Sequence, residues 1–268
     1  MANFSPTGLI TLTSDFGTQD GYVGAMKGVV LTACPTAQLV DITHDIDPQD
    51  IAGGAFALAQ SAPQFPPGTI HVAVVDPGVG GSRRALLVAD ESSGALYLGP
   101  DNGLLWLALR RAPFAAFSID RIPPDWAISK TFHGRDVFAR VAARIAAGAP
   151  ISAFCSSDSA VEMQSLGWSE PGEIEGGMTG AVVHVDRFGN LVTNVEGGRI
   201  LARRRCHVEL AGSHIPLVTT YADVERGSLL AYVGSARYLE IAQRDGSAAQ
   251  FLGTPSGTPL VVRFSTVG

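Results

Sequence analysis

Two kinds of hydrophobic spacing divide this chain. Over the first 165 or so residues, short β-branched runs alternate with stretches whose apolar positions recur every three or four residues. Leu9–Thr13, Gln38–Thr43, Thr69–Val75, Leu86–Ala89, Ala95–Leu98 and Ala115–Ile119 read as strands. Val23, Met26, Val29, Val30 and Ala33 predict one helix. Ile51, Ala55, Leu58 and Ala59 predict a second, with Pro48 in its first turn and Pro63, Pro66 and Pro67 at its end. Leu104 to Arg111 reads as a short helix, and Val137, Phe138, Val141, Ala142 and Ile145 as an amphipathic one. From Thr179 onward the helical period largely vanishes. Short strands then follow one another at intervals typical of a barrel or sandwich. They are Ala181–Val185, Leu191–Val195, Cys206–Leu210, Leu229–Val233, Tyr238–Ala242 and Leu260–Phe264. Between the two patterns, Pro171, Gly172, Gly176 and Gly177 mark a polar connection. The expectation is an N-terminal α/β layered domain with a central, mostly parallel sheet (residues 1–165), a linker (166–178), and a smaller all-β, barrel-like domain (179–268).

Composition narrows the partners. Of 268 residues, 46% are apolar and 16% charged, enough apolar content for a well-packed core. The net charge of −6 argues against nucleic acid, whose binders cluster Lys and Arg. The basic run Arg203–Arg205 is short and reads as a solvated edge. No apolar stretch approaches the roughly 20 residues that span a bilayer, and the N-terminus lacks the regions of a signal peptide. Cys34, Cys155 and Cys206 are odd in number and show no metal-ligand spacing, which fits reduced thiols in a cytoplasmic protein.

Candidate chemistry gathers where strands end. Asp76 closes the strand at Thr69–Val75 and opens a glycine loop, Pro77 to Gly81, that leads to Arg83 and Arg84. An acid in that position suits the crevice at which α/β sheets bind ligands, but a hairpin with a capping aspartate and a solvated arginine pair reads equally well. Asp15 sits just past the first strand in the same kind of position, whereas Asp20 reads as a helix cap or first-turn acid. His133 stands one residue before the amphipathic helix, and structural and functional roles are both open to it. His44, Asp45 and Asp47 cluster after the second strand without a further spacing that would define a metal site, so no metal is expected. Asp186–Asn190 reads as a hairpin turn, with Phe188 as an alternative stacking surface. Gly234–Arg237 is a second small-residue turn.

Taken in order, Thr13–Gly17, Asp41–His44, Val75–Gly80, Gly99–Gly103, Phe132–Asp136, Asp186–Asn190 and Tyr232–Ala242 carry a resemblance over essentially the full length. The chain resembles the S-adenosyl-L-methionine hydroxide adenosyltransferases, hydrolases that release adenosine and are relatives of the fluorinase and chlorinase. The resemblance implies a water-positioning trio at Asp76, Arg83 and His133, with only one of the adjacent Arg83 and Arg84 entering the site. The halogenating relatives lack this trio, and Val79 and Gly134 stand where the fluorinase has hydroxyl residues. The fluorinase's extra loop in the first domain is also absent.

The resemblance further implies Asp15 on the ribose hydroxyls, Asp186 and Ser235 on the methionine end, and Phe188 and Asn190 on adenine. Asp20 and Phe132 complete the candidate substrate-binding set. Ala236 replaces the arginine that follows the matching serine in the fluorinase. The implied reaction is hydrolysis of S-adenosyl-L-methionine to adenosine and L-methionine by water or hydroxide at C5′, with that compound as substrate and no cofactor. A halide-dependent 5′-halogenase and a non-catalytic adenosyl-ligand binder are the alternatives. The relatives imply a homotrimer with sites between subunits.

Overall fold

The computed structural model describes residues 6–156, 161–201 and 206–264, and the Arg203–Arg205 run lies outside the described residues. The chain falls into two compact units, Met1–Leu166 and Gly167–Gly268.

The first unit is built on six strands: β1 (Leu9–Ser14), β2 (Gln38–Thr43), β3 (Ile70–Val74), β4 (Ala85–Asp90), β5 (Leu96–Pro100) and β6 (Phe114–Ser118). Their order across the sheet is β2-β1-β3-β5-β4-β6. Pairings from β2 to β5 are parallel; β4 alone runs against its neighbours, because a tight turn joins it to β5. The Asp90 carboxylate builds that turn by accepting from the hydroxyls of Ser92 and Ser93. Every residue of β3 and β5 is buried, as expected of strands covered on both faces. The edge strand β2 is mostly exposed. Within β3, burial pushes the His71 imidazole down to about 4, so it sits neutral against the Thr11 hydroxyl at 2.8 Å.

Helix α1 (Tyr22–Ala33) buries Val23, Met26 and Val30 on the apolar stripe that the spacing predicts. Its cap is Gly21 and no side chain caps it; Asp20 stays exposed, in contrast to the capping role expected of it. Helix α2 (Ile51–Ser61) starts three residues beyond Pro48, capped by Asp50, whose carboxylate accepts from the Gly53 amide at 2.9 Å. A short α3 (Trp106–Leu109) lies against α2. The last helical segment opens as a π-helix over Gly134–Ala139 and continues as α4 (Arg140–Ala146). Met26, Val30, Phe138, Val141 and Ile145 pack with Ile10, Leu12, Val72 and Leu98 of the sheet. Truncating any one of these large side chains costs about 2–5 kcal/mol. In register, Ser14 lies opposite Val74, so Asp15 and Asp76 leave the same sheet edge from neighbouring strands.

The second unit contains β7 (Glu173–Ile174), β8 (Gly177–Val185), β9 (Leu191–Glu196), β10 (Cys206–Leu210), β11 (Ser213–Pro216), β12 (Leu229–Val233), β13 (Tyr238–Gln243) and β14 (Pro259–Phe264). They run in the order β11-β10-β14-β8-β9-β13-β12, every ladder antiparallel, with β7 also beside β8. The stretch read as a linker therefore includes a strand. β8 is long enough to pair with β14 through Gly177–Ala181 and with β9 through Val182–Val185. A bridge between Leu217 and Ala231 brings the far end of the sheet back to β12 and nearly closes a barrel. Its core is the inward alternation of residues such as Val182, Leu191, Val208, Leu210, Ile215, Ile241 and Val262. Two short helices, α5 (Gly197–Leu201) and α6 (Ala248–Leu252), complete the unit. Among the described residues, no helix is long and apolar enough to cross a membrane.

Candidate active site

A cleft of about 360 Å³ opens in the first unit where β1 and β3 end, lined by Asp15, Asp76, Val79, Phe132, His133 and Gly134 among others. Asp76 and Arg83 face each other across the glycine loop, their side chains only 5% and 11% exposed. The Arg83 Nε–H donates to both carboxylate oxygens at 2.9 and 3.1 Å, and Nη2 donates to Oδ2. The same Nη2 lies 2.8 Å from Nδ1 of His133. A guanidinium can only donate, so Nδ1 accepts, and a neutral His133 carries its hydrogen on Nε2. Burial and the Arg83 charge hold the imidazole below its usual pKa, against the pull of Asp76 and Asp136.

Packing around the loop fixes this geometry. The loop turns at Gly80, where φ is +75° and a Cβ would stand 2.3 Å from the Lys130 carbonyl, so only glycine permits the close approach. Behind Asp76, the Asn102 side chain donates to the Val75 carbonyl at 2.9 Å. Arg84 leaves on the opposite face of the chain and binds Asp101, which is 1% exposed in its side chain. Of the two arginines just ahead of β4, it is therefore Arg83, and not Arg84, that binds the cleft residues Asp76 and His133.

His133 reaches the cleft because the helix behind it starts wide. The π-turns beginning at Gly134 are a geometry frequent at functional sites. Asp136 in that turn is fully buried and receives Arg135 and the Ser129 amide. Although burial alone would raise it, these hydrogen bonds win and hold its carboxyl below the usual range. They tether the segment whose Thr131 and Phe132 line the cleft. Phe132 meets Phe16 and Tyr22 edge to face, with ring centroids 5.7 and 5.4 Å apart, forming an aromatic wall. Asp15 accepts the Gln49 amide at 2.8 Å, and Gln49 adopts a left-handed φ of 69°, a strained backbone where it lines the cleft. Asp20 is not among the lining residues.

The second unit assembles a separate group of candidates. Asp186 Oδ1 accepts the amides of Phe188 and Asn190, and Oδ2 accepts the Asn190 side chain, all at 2.8 Å. The hairpin turn predicted there is thus locked by its own aspartate, and it leaves Phe188 78% exposed. Ser235 is exposed in the turn after β12, close to Glu240: a Cβ on Gly234 would come 1.8 Å from the Glu240 carboxylate. Glu240 is 8% exposed, with Oε2 accepting the Tyr232 hydroxyl at 2.6 Å, and Tyr221 lies 2.9 Å beyond. Burial and the neighbouring Asp186 raise its pKa, against that hydrogen bond.

Family models for the SAM hydroxide adenosyltransferase N-terminal and C-terminal domains match residues 10–155 and 180–261. The chain belongs to the SAM hydroxide adenosyltransferase family. It is 39% identical to the (R)-S-adenosyl-L-methionine hydrolase of Salinispora arenicola, over 94% of this chain and 97% of that one. The enzyme of the same name from Thermus thermophilus is 38% identical, over 92% and 96%. A fluorinase from Actinoplanes is more distant, 28% identical over 97% and 98%. A crystal structure of an uncharacterized conserved protein from Thermotoga maritima superposes with a TM-score of 0.85 at 30% identity, covering 95% and 99%.

Within this family member the fold brings Asp76, Arg83 and His133 into direct contact and sets Asp15 and Phe132 on the same cleft. Asp186, Phe188 and Asn190 form one turn in the second unit. Gln49, Thr131, Asn102 and Glu240 are contributors that sequence reasoning missed. Asn102 and Glu240 lie in the stretches Gly99–Gly103 and Tyr232–Ala242 that carry the resemblance, but neither stretch names a neighbour in space.

Proposed function

We propose that this protein hydrolyses S-adenosyl-L-methionine to adenosine and L-methionine, with water attacking C5′ of the ribose. The observation that carries the reading is the Asp76–Arg83–His133 contact beside a cleft that has Val79 and Gly134, which carry no hydroxyl, in its lining. The sulfonium departs as a neutral thioether, so the reaction asks for no acid at the leaving group. It asks for a water held in line behind C5′, which is proximity and orientation. Asp76 orients that water and takes its proton as the C5′–O bond forms and the C5′–S bond breaks. Arg83 fixes the carboxylate, and His133 completes the network with Nε2–H. Asp15 binds the ribose hydroxyls, Phe188 and Asn190 the adenine, and Asp186 and Ser235 the methionine end. No resident cofactor takes part.

The named hydrolase relatives support the (R) sulfonium epimer as substrate. The resemblance above supports a homotrimer with sites between subunits. Three unpaired cysteines, two of them buried, are in keeping with work in the cytoplasm.

The test is to incubate the pure protein with each sulfonium epimer, with and without chloride, and follow adenosine by chromatography. Halide-independent adenosine that disappears in Asp76→Ala is the expected result. A 5′-halo-adenosine product would make the protein a halogenase instead, and binding without turnover would make it an adenosyl-ligand binder.

A further inference from the structure

On the outer face of the barrel, β10 and β11 present His207, Glu209 and His214 together. Val208, Leu210 and Ile215 of the same strands point into the core, so alternation turns these three outward. The antiparallel register places Glu209 directly opposite His214, and His207 two residues along the same face. One ligand atom from each lies within 4.8 Å of the others, and His207 Nε2 is 3.7 Å from Glu209 Oε1. The two imidazole rings stand 5.5 Å apart.

We propose that His207, Glu209 and His214 form a binding site for a divalent transition ion of the zinc type. Two imidazoles and a carboxylate are a common three-ligand set for zinc, with a fourth position left to water. Ligands on a tetrahedral ion sit about 3–3.5 Å apart, given bonds of about 2 Å, so small rotations of two histidine side chains close the site. The carboxylate is already oriented for it. Arg263 Nε–H on the adjacent strand donates to Oε2 at 3.1 Å, which leaves Oε1 on the side of the histidines. Holding a ligating carboxylate through its other oxygen is the usual arrangement around such ions. Hydrogen-bonded strands supply a backbone that does not have to order on binding. Nothing in the hydrolysis derived above uses these residues, so this site stands independently of that reading.

The test uses the full chain, freed of any affinity tag and dialysed against chelator, and titrates it with zinc chloride by calorimetry. One zinc per chain is expected, together with a rise in melting temperature at saturating metal. His214→Ala and His207→Ala should each weaken binding by about tenfold or more and reduce that rise, while Cys206→Ser leaves both unchanged. His214 is exposed, so its variant folds, and circular dichroism checks this. Cobalt(II) gives a second readout, visible tetrahedral bands without a thiolate charge-transfer band. Absence of binding, retention of it in both histidine variants, or its loss in Cys206→Ser would each overturn the assignment.

Discussion

Both units end a strand in an aspartate and follow it with a glycine turn, yet they hold the two carboxylates in opposite ways. Among the described residues, the hydrogen bonds to the Asp186 carboxylate come from within four residues, so its turn is complete as soon as the hairpin forms. Asp76 is held by Arg83, which in turn touches His133, 50 residues further along the chain. That arrangement exists only when the glycine loop, the strand after it and the π-helical turn have all docked. The local carboxylate makes a rigid turn that buries Asn190 and leaves Phe188 exposed. The long-range one is nearly buried and preorganised, which is what positioning a reacting water requires.

The largest loss follows from Asp76→Asn, which keeps the shape and removes the charge. Adenosine formation should fall by about 10²–10⁴-fold, mostly in kcat. Asp186→Asn should act chiefly on KM. A D76N protein within a few-fold of wild type would dissolve the distinction. Arg83→Gln comes next, with an expected loss on the order of 10²-fold from misplacing Asp76 and His133. Arg84→Gln is its control. It removes a partner from buried Asp101 and should lower the melting temperature, while kcat stays within about a few-fold. Equal kinetic losses in the two variants would mean that the arginines act through stability alone.

How far the sequence announced this arrangement depends on the range of the contacts. Strand-end acids such as Asp15 and Asp76 were legible because an apolar run followed by an acid and glycines fixes where the sheet edge lies. Adjacency indicated that only one of Arg83 and Arg84 reaches the site; the partners that separate them, His133 for Arg83 and Asp101 for Arg84, are distant in sequence. Gln49 and Thr131 come from loops with no periodicity to read, and the strained φ of Gln49 appears only in three dimensions. Nor did spacing distinguish a π-turn from an α-turn at Gly134–Ala139, because Val137, Phe138 and Val141 satisfy either geometry. Asp20 failed as a cap because Gly21, not Asp20, occupies the cap position. The barrel was legible from strand spacing, whereas its near-closure through Leu217 and Ala231 was not.

A smaller effect tests the local side of the comparison. Phe188 is 78% exposed, so Phe188→Ala should leave the melting temperature unchanged. If the ring stacks on adenine, its loss costs about 1–3 kcal/mol of binding, or about 5- to 150-fold in KM, with kcat little altered. Steady-state kinetics together with a thermal melt separates this from a folding defect. An unchanged KM would return Phe188 to being an ordinary turn residue.

The smallest expected change is also the most direct probe of the long-range contact, because it needs no turnover. His133 sits below its usual pKa of 6.5 through burial and the Arg83 charge, with Asp76 pulling the other way. Removing the cation in Arg83→Gln should therefore raise the His133 pKa, and removing the anion in Asp76→Asn should lower it further. Imidazole NMR titration reads both shifts, and a shift of the same sign in both variants would contradict the geometry. The depressed pKa also fixes the sign of the pH dependence. As pH falls below about 6.5, the unfolded chain takes up the proton before the folded one does, so stability declines across that window. Activity should hold to lower pH than an ordinary histidine allows, then fail as His133 is protonated: Nδ1 then carries a hydrogen and cannot accept from Arg83, and the long-range contact that holds the trio together comes apart.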